Sequence, residues 1–175
     1  MSEMNLRETV SGWLAEMAPS VGMDIPLDEN GACAVEFPDD LVVVLNVAED
    51  HYTLMASLLE APAEANPRTL EKALRMNMDY SITRGGFLGF FELHHELVYL
   101  FHREVGADDD ARSFTNRFMN FISAAYDLRA ELRAAQDAEL RGEAPDFPSS
   151  SLPLSSESEA SDKEAPPIDP HMTRV

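Results

Sequence analysis

The stretch Arg84–Tyr99, RGGFLGFFELHHELVY, holds the residue types most able to do chemistry in this chain. Gly85-Gly86-x-x-Gly89 invites comparison with a phosphate loop. A Walker loop needs GxxxxGK followed by Ser or Thr, so that backbone donors and a lysine meet the phosphates. No lysine follows here, and the spacing is not GxGxxG. The segment also leaves a helix and enters a strand, the reverse of the geometry that aims a helix N-terminus at phosphate. His95-Glu96-Leu97-Val98-Tyr99 begins like a zincin HExxH, but its fifth position is tyrosine. Two histidines must lie four apart on one helical face to share a metal, and neither His94 nor His102 completes a recognisable ligand set. Helix cap, hairpin arms and a polar hairpin tip account for the stretch better than a cofactor or metal site does.

No other catalytic constellation stands out. His51, His95 and His171 have no serine or cysteine partner in a nucleophile motif such as GxSxG. The lone cysteine, Cys33, cannot form an internal disulfide, fits a reducing cytoplasm and reads as a buried structural thiol. Scattered carboxylates could meet in space, so a small acidic enzyme with a spatially assembled carboxylate site stays open as a distant alternative. The methionines could form an adaptable binding surface, but Met17 and Met78, at helical spacing, are assigned to the core first.

The elements that position these residues follow from periodicity. Leu6, Val10, Trp13, Leu14 and Met17 mark an amphipathic helix over about 4–18, ending near Pro19. Ala32–Phe37, the near-continuous apolar run Leu41–Val47 and Tyr52–Leu59 read as strands of a meander, the middle one covered on both faces. Asn66-Pro67 starts a second helix with Asn as its cap; Leu70, Ala73, Leu74 and Met78 form its apolar face and Gly85-Gly86 ends it. The hairpin follows. ADDD at 107–110 then opens a long helix over about 109–141, striped by Phe114, Phe118, Phe121, Ala125, Leu128 and Leu132. The order is α-β-β-β-α-β-β-α, an α+β sandwich with an antiparallel sheet packed against helices.

From Gly142 the composition shifts to Pro, Ser and acids, so the expected organisation is one domain over 1–141 and a disordered acidic tail over 142–175. Net charge is −19; residues 136–175 hold 9 acidic and 3 basic residues, a net of −6, leaving −13 on residues 1–135. Such a field disfavours nucleic acid and anionic lipid and favours solubility or basic partners. No run reaches membrane-spanning length, and the N-terminus does not read as a signal peptide.

In this order, LMASLLEAP, then LEKALRMNMDYSITRGGFLGFFELHHELVYLFHRE, then the long last helix resemble the class I chaperones of bacterial type III secretion systems, the Tir-chaperone-like family. Leu74, Asn77, the Gly85-Gly86 cap and the 87–101 hairpin match the family pattern, with Glu92 near the acidic position before the turn. The chain looks most like chaperones of plant-pathogen systems. The resemblance covers about residues 4–135 and implies a cytoplasmic homodimer without enzymatic activity or cofactor. It would bind the N-terminal region of effectors in extended form, keep them secretion-competent and present them to the secretion ATPase. The implied dimer interface draws on Leu74, Met78, Ile82, Phe87 and Phe90; the implied effector pockets draw on Trp13, Met17, Val43, Leu45 and Leu54. A regulator of the same fold that sequesters a control protein is the main alternative.

Overall fold

The computed structural model describes residues 5–62 and 66–143, so the tail expected from Gly142 lies outside the described residues from 144 onward. Its elements are α1 (Leu6–Val21), β1 (Ala32–Phe37), β2 (Leu41–Val47), β3 (His51–Glu60), α2 (Pro67–Met76), α3 (Tyr80–Thr83), β4 (Phe87–Phe91), β5 (Glu96–Glu104) and α4 (Ala111–Leu140). The strands form one sheet in the order β1-β2-β3-β5-β4, every neighbouring pair antiparallel.

The core forms where α1 and α4 meet the sheet. The predicted stripe on α4 is buried along its whole length, from Phe114 to Leu132. Phe114 meets Tyr52 of β3 edge-on at 5.3 Å between ring centroids, and Phe121 stacks on Tyr99 of β5 at 4.6 Å. Leu6, Val10, Trp13, Leu14 and Met17 of α1 fill the same core. Truncating one such phenylalanine to alanine costs about 3–5 kcal/mol, from lost burial and the cavity left behind.

The ends of the elements follow from local chemistry. Pro19 does not stop α1, which continues to Val21 and closes on Gly22 in the left-handed region (φ 73°), its N–H donating to the Ala18 carbonyl at 2.9 Å. Asp110 caps α4 in a reciprocal box with Ser113. The second helix departs most from expectation, because it is two helices. The α2 helix ends at Met76, and α3 starts afresh from Asp79, whose carboxylate accepts from the Ser81 N–H at 2.9 Å. Asn66 makes no side-chain cap; the α4 carboxylate of Glu139 accepts instead from the N–H groups of Arg68 and Thr69 and from the Thr69 hydroxyl. Burial raises the Glu139 pKa, but these donors outweigh it and hold the carboxyl below its usual range. The buried face of α2 is Thr69, Ala73 and Met76, so the expected core positions Leu74 and Met78 are instead 68% and 89% exposed.

A second correction concerns β2. Its alternate residues Leu41, Val43, Leu45 and Val47 are buried, whereas Val42 and Asn46 are exposed and Val44 is half-buried. Among the described residues the sheet is covered by helices on one face only. Cys33 is likewise half-buried rather than enclosed, and burial pushes its thiol pKa up.

Candidate interaction surfaces

The opening motif is structural. Arg84 takes the left-handed conformation (φ 46°), followed by Gly85 (φ 91°), and together they turn the chain from α3 into β4. A Cβ at Gly86 would collide with the Tyr99 ring and lie 2.5 Å from the Leu100 carbonyl oxygen, so the glycine lets β4 approach β5. Glu92–His94 form a 3-10 turn and His95 (φ 53°) reverses the chain. His95 therefore sits in a turn and Tyr99 on a strand, not on the helical face an HExxH site needs.

The sheet register assembles a different feature. Ala34 opposes Val44, Val44 opposes Met55, Met55 opposes Leu100, and Leu100 opposes Phe87. Since side chains alternate across a strand, this row lies on the face opposite the buried Val43, Ala56 and Tyr99. It is an apolar band across all five strands on the uncovered face, with its two ends, Ala34 and Phe87, exposed. Val98 and Ser57, opposite one another, extend it on one side, and the Thr53–His102 pair bounds it on the other. There His51 lies 4.5 Å from the His102 ring and shares a 2.7 Å contact between Nδ1 and the Asp50 carboxylate.

The two edges of the sheet differ. At the β4 edge, the Leu88 N–H donates to Asn77 Oδ1 at 2.7 Å and Asn77 Nδ2 donates to the Leu88 carbonyl at 2.8 Å. This amide stands where a neighbouring strand would pair. At the β1 edge, among the described residues, only Ala32 is engaged, with Asp28: its carbonyl accepts from the Asp28 N–H at 2.7 Å and its N–H donates to the Asp28 carboxylate at 2.8 Å.

The residues implicated by the resemblance fall into two groups. Leu74, Met78, Ile82, Phe87 and Phe90 are all exposed, the last two on β4 itself and the others in the α2–α3 segment that leads into it. Tyr80, Phe91 and Leu93, which were not anticipated, add exposed apolar surface in the same segment. Trp13, Met17, Val43, Leu45 and Leu54 are all core, with Trp13 9% exposed and 5.5 Å from the Phe114 ring. Trp13 and Met17 lie on the inward face of α1, and Val43, Leu45 and Leu54 have the strand parity that faces the helices. Their neighbours one residue along, Val44 and Met55, face outward. In LVVVLNV only Asn46 marked the outward parity, and the continuous apolar run before it obscured the signal.

A helix-backed sheet with one bare apolar face, an open edge strand and a set of exposed apolar residues on one side defines a protein-binding scaffold. The comparisons agree. Residues 12–129 match the model of the Tir chaperone protein (CesT) family, and the chain belongs to that family. Among solved structures it is similar to a chain of the ExsC–ExsE complex (20% identity, TM-score 0.62, covering 74% of this chain and 97% of the other). It is also similar to a chain of the HopA1–SchA chaperone–effector complex (15%, 0.54, 75% and 96%). A third likeness is to a chain in the Yersinia pestis structure of the type III secretion chaperone SycH with a fragment of YscM2 (18%, 0.52, 69% and 99%). At such identities these likenesses concern the fold. No curated protein matches the sequence.

Proposed function

We propose that this protein is a homodimeric type III secretion chaperone that binds the N-terminal regions of effectors in the bacterial cytoplasm, keeps them secretion-competent and hands them to the secretion ATPase. The apolar band across the uncovered sheet face, in a chain of the Tir chaperone family, carries this reading. An extended cargo has no core of its own, so its apolar side chains need cover, and a bare sheet face with an open edge supplies both pockets and backbone hydrogen bonds. The dimer uses the exposed residues beside β4, where Leu74, Met78, Ile82, Phe87 and Phe90 offer apolar surface for a second copy. Trp13, Met17, Val43, Leu45 and Leu54 contribute to the cargo surface only indirectly, as the packing beneath it. No helix among the described residues is long and apolar enough to cross a membrane.

Co-expression with candidate effectors, followed by size-exclusion chromatography with light scattering, tests both parts. The expected result is a dimer that carries one effector region. Leu74→Glu with Met78→Glu should give a folded monomer, because both side chains are exposed and their loss leaves the core intact. A wild-type monomer that captures no effector would sink the proposal.

A further inference from the structure

Strand addition is nearly blind to sequence, since it uses backbone groups; selectivity has to come from side chains beside the edge. At β1 those side chains have a definite chemistry. The Val47 N–H donates to the Gly31 carbonyl at 2.9 Å, so the odd-numbered residues of this segment bond to β2 and the even-numbered ones point outward. Ala32 is taken by Asp28, which leaves the N–H and C=O groups of Ala34 and Glu36 without a backbone partner among the described residues.

Alongside lies a cleft of about 540 Å³ between the loop after α1 and β1. Ile25, Pro26 and Val44 give it apolar walls, and Asp24, Asp28 and Glu36 place three carboxylates around it; among the described residues no lysine or arginine lines it. Asp28 is committed to the fold, because the Ala32 N–H, above all, holds its carboxyl below the usual range. Asp24 and Glu36 are exposed and make no ion pair among the described residues.

Building on the cargo-binding reading, we infer that the β1 edge takes a cargo strand in which apolar residues are flanked by arginine or lysine, with Asp24 and Glu36 selecting the cation. The same carboxylates argue against a second copy at this edge, since pairing β1 with β1 would bring two acidic rims together. A strand bearing acids is rejected for the same reason, and its apolar residues alone would not decide between partners.

The test uses short fluorescein-labelled peptides of alternating valine and threonine that differ at two threonine positions, carrying there Arg, Gln or Glu. Fluorescence anisotropy with the full chain should show the Arg peptide binding about tenfold tighter than the Gln peptide, as expected for a pair of rim charges. That preference should shrink between about 0.05 M and about 0.5 M salt, and in the Asp24→Asn, Glu36→Gln double variant. The control Glu16→Gln, Asp108→Asn, which removes the same charge elsewhere, should keep it. Ala34→Pro, tolerable at an edge where the N–H points outward, should abolish binding of every peptide. Equal affinity for the Arg and Gln peptides, or a preference that survives the double variant, overturns the charge selection and leaves strand addition standing. Failure of all peptides to bind, or normal binding by a folded Ala34→Pro variant, overturns the edge as a cargo site altogether. Loss of dimer in Ala34→Pro would put a second copy at this edge and overturn the proposal.

Discussion

Asn77 closes the β4 edge, and removing its amide should be expensive. Two hydrogen bonds join it to one residue, at 2.7 Å to the Leu88 N–H and 2.8 Å to the Leu88 carbonyl, and the Leu88 side chain they anchor is only 5% exposed. Each such bond contributes about 1 kcal/mol net, and a backbone group left without a partner costs about 1–3 kcal/mol. Asn77 is half-buried, so water reaches part of the site, and Asn77→Ala should cost about 3 kcal/mol. For a body of this size that is a fall in Tm of about 6–12 °C, at about 2–4 °C per kcal/mol. Asn77→Asp separates the two bonds: a carboxylate still accepts from the Leu88 N–H but faces the Leu88 carbonyl with a second oxygen. Protonating it restores a donor, so its pKa is raised in the folded state. The variant's deficit relative to wild type should be full at neutral pH and should narrow as pH falls through that raised value. Urea and thermal unfolding by circular dichroism, at one fixed protein concentration because the proposed dimer would make Tm concentration-dependent, provide the measurement. A fall in Tm below about 2 °C for Asn77→Ala, or a deficit in Asn77→Asp that does not change with pH, would refute the bidentate cap.

Asp109 offers a second test: its side chain is 4% exposed, contacts Arg117 at 2.5 Å and accepts from the Gly106 N–H at 2.9 Å. Burial raises its pKa, but the Gly106 N–H and Arg117 outweigh that and hold the carboxyl below its ordinary value. Its stabilisation is therefore present above that ordinary value and lost as pH falls through the folded one; Asp109→Asn should cost about 2 kcal/mol near neutrality and flatten the acid limb of a stability–pH profile. Tyr99, whose hydroxyl donates to the Thr83 carbonyl at 2.5 Å, is pushed by burial up to about 12. Its phenolate absorbance should appear only near that value, and stability should fall as pH rises from the usual 10 through about 12. Gly86→Ala should lower the urea midpoint by the equivalent of about 2–3 kcal/mol, because the added methyl meets the Leu100 carbonyl on a paired strand that cannot move aside.

The elements whose apolar period matches their own burial were legible in the sequence. The α1 and α4 stripes, the meander and the 87–101 hairpin all appear with the expected partners. The break between α2 and α3 was hidden, since Leu74 and Met78 continue a helical spacing while the buried face runs through Thr69, Ala73 and Met76. The α2 cap was unreadable because Glu139 reaches it from about seventy residues along the chain. The five residues first assigned to cargo were apolar for a nearer reason, the helices of the same chain. The exposed five on and beside β4 are apolar with nothing among the described residues to cover them.

That difference explains why LVVVLNV reads as a strand covered on both faces although one face is bare. A sequence records the burial of the working assembly, and only part of that burial is internal to one chain. An apolar band and an open edge are hazards for an isolated protein, since unpaired strands template association. Here the hazards are handled by different means. At β4, Asn77 saturates Leu88 from the side. At β1 the outward groups of Ala34 and Glu36 have no backbone partner among the described residues, and charge stands guard: Asp24 and Glu36 add local repulsion to a chain of net charge −19. A guard made of charge, unlike one made of hydrogen bonds, discriminates. It turns away a second acidic copy and admits a cation-bearing strand, so what keeps the empty scaffold from pairing with itself also sets the kind of segment it accepts.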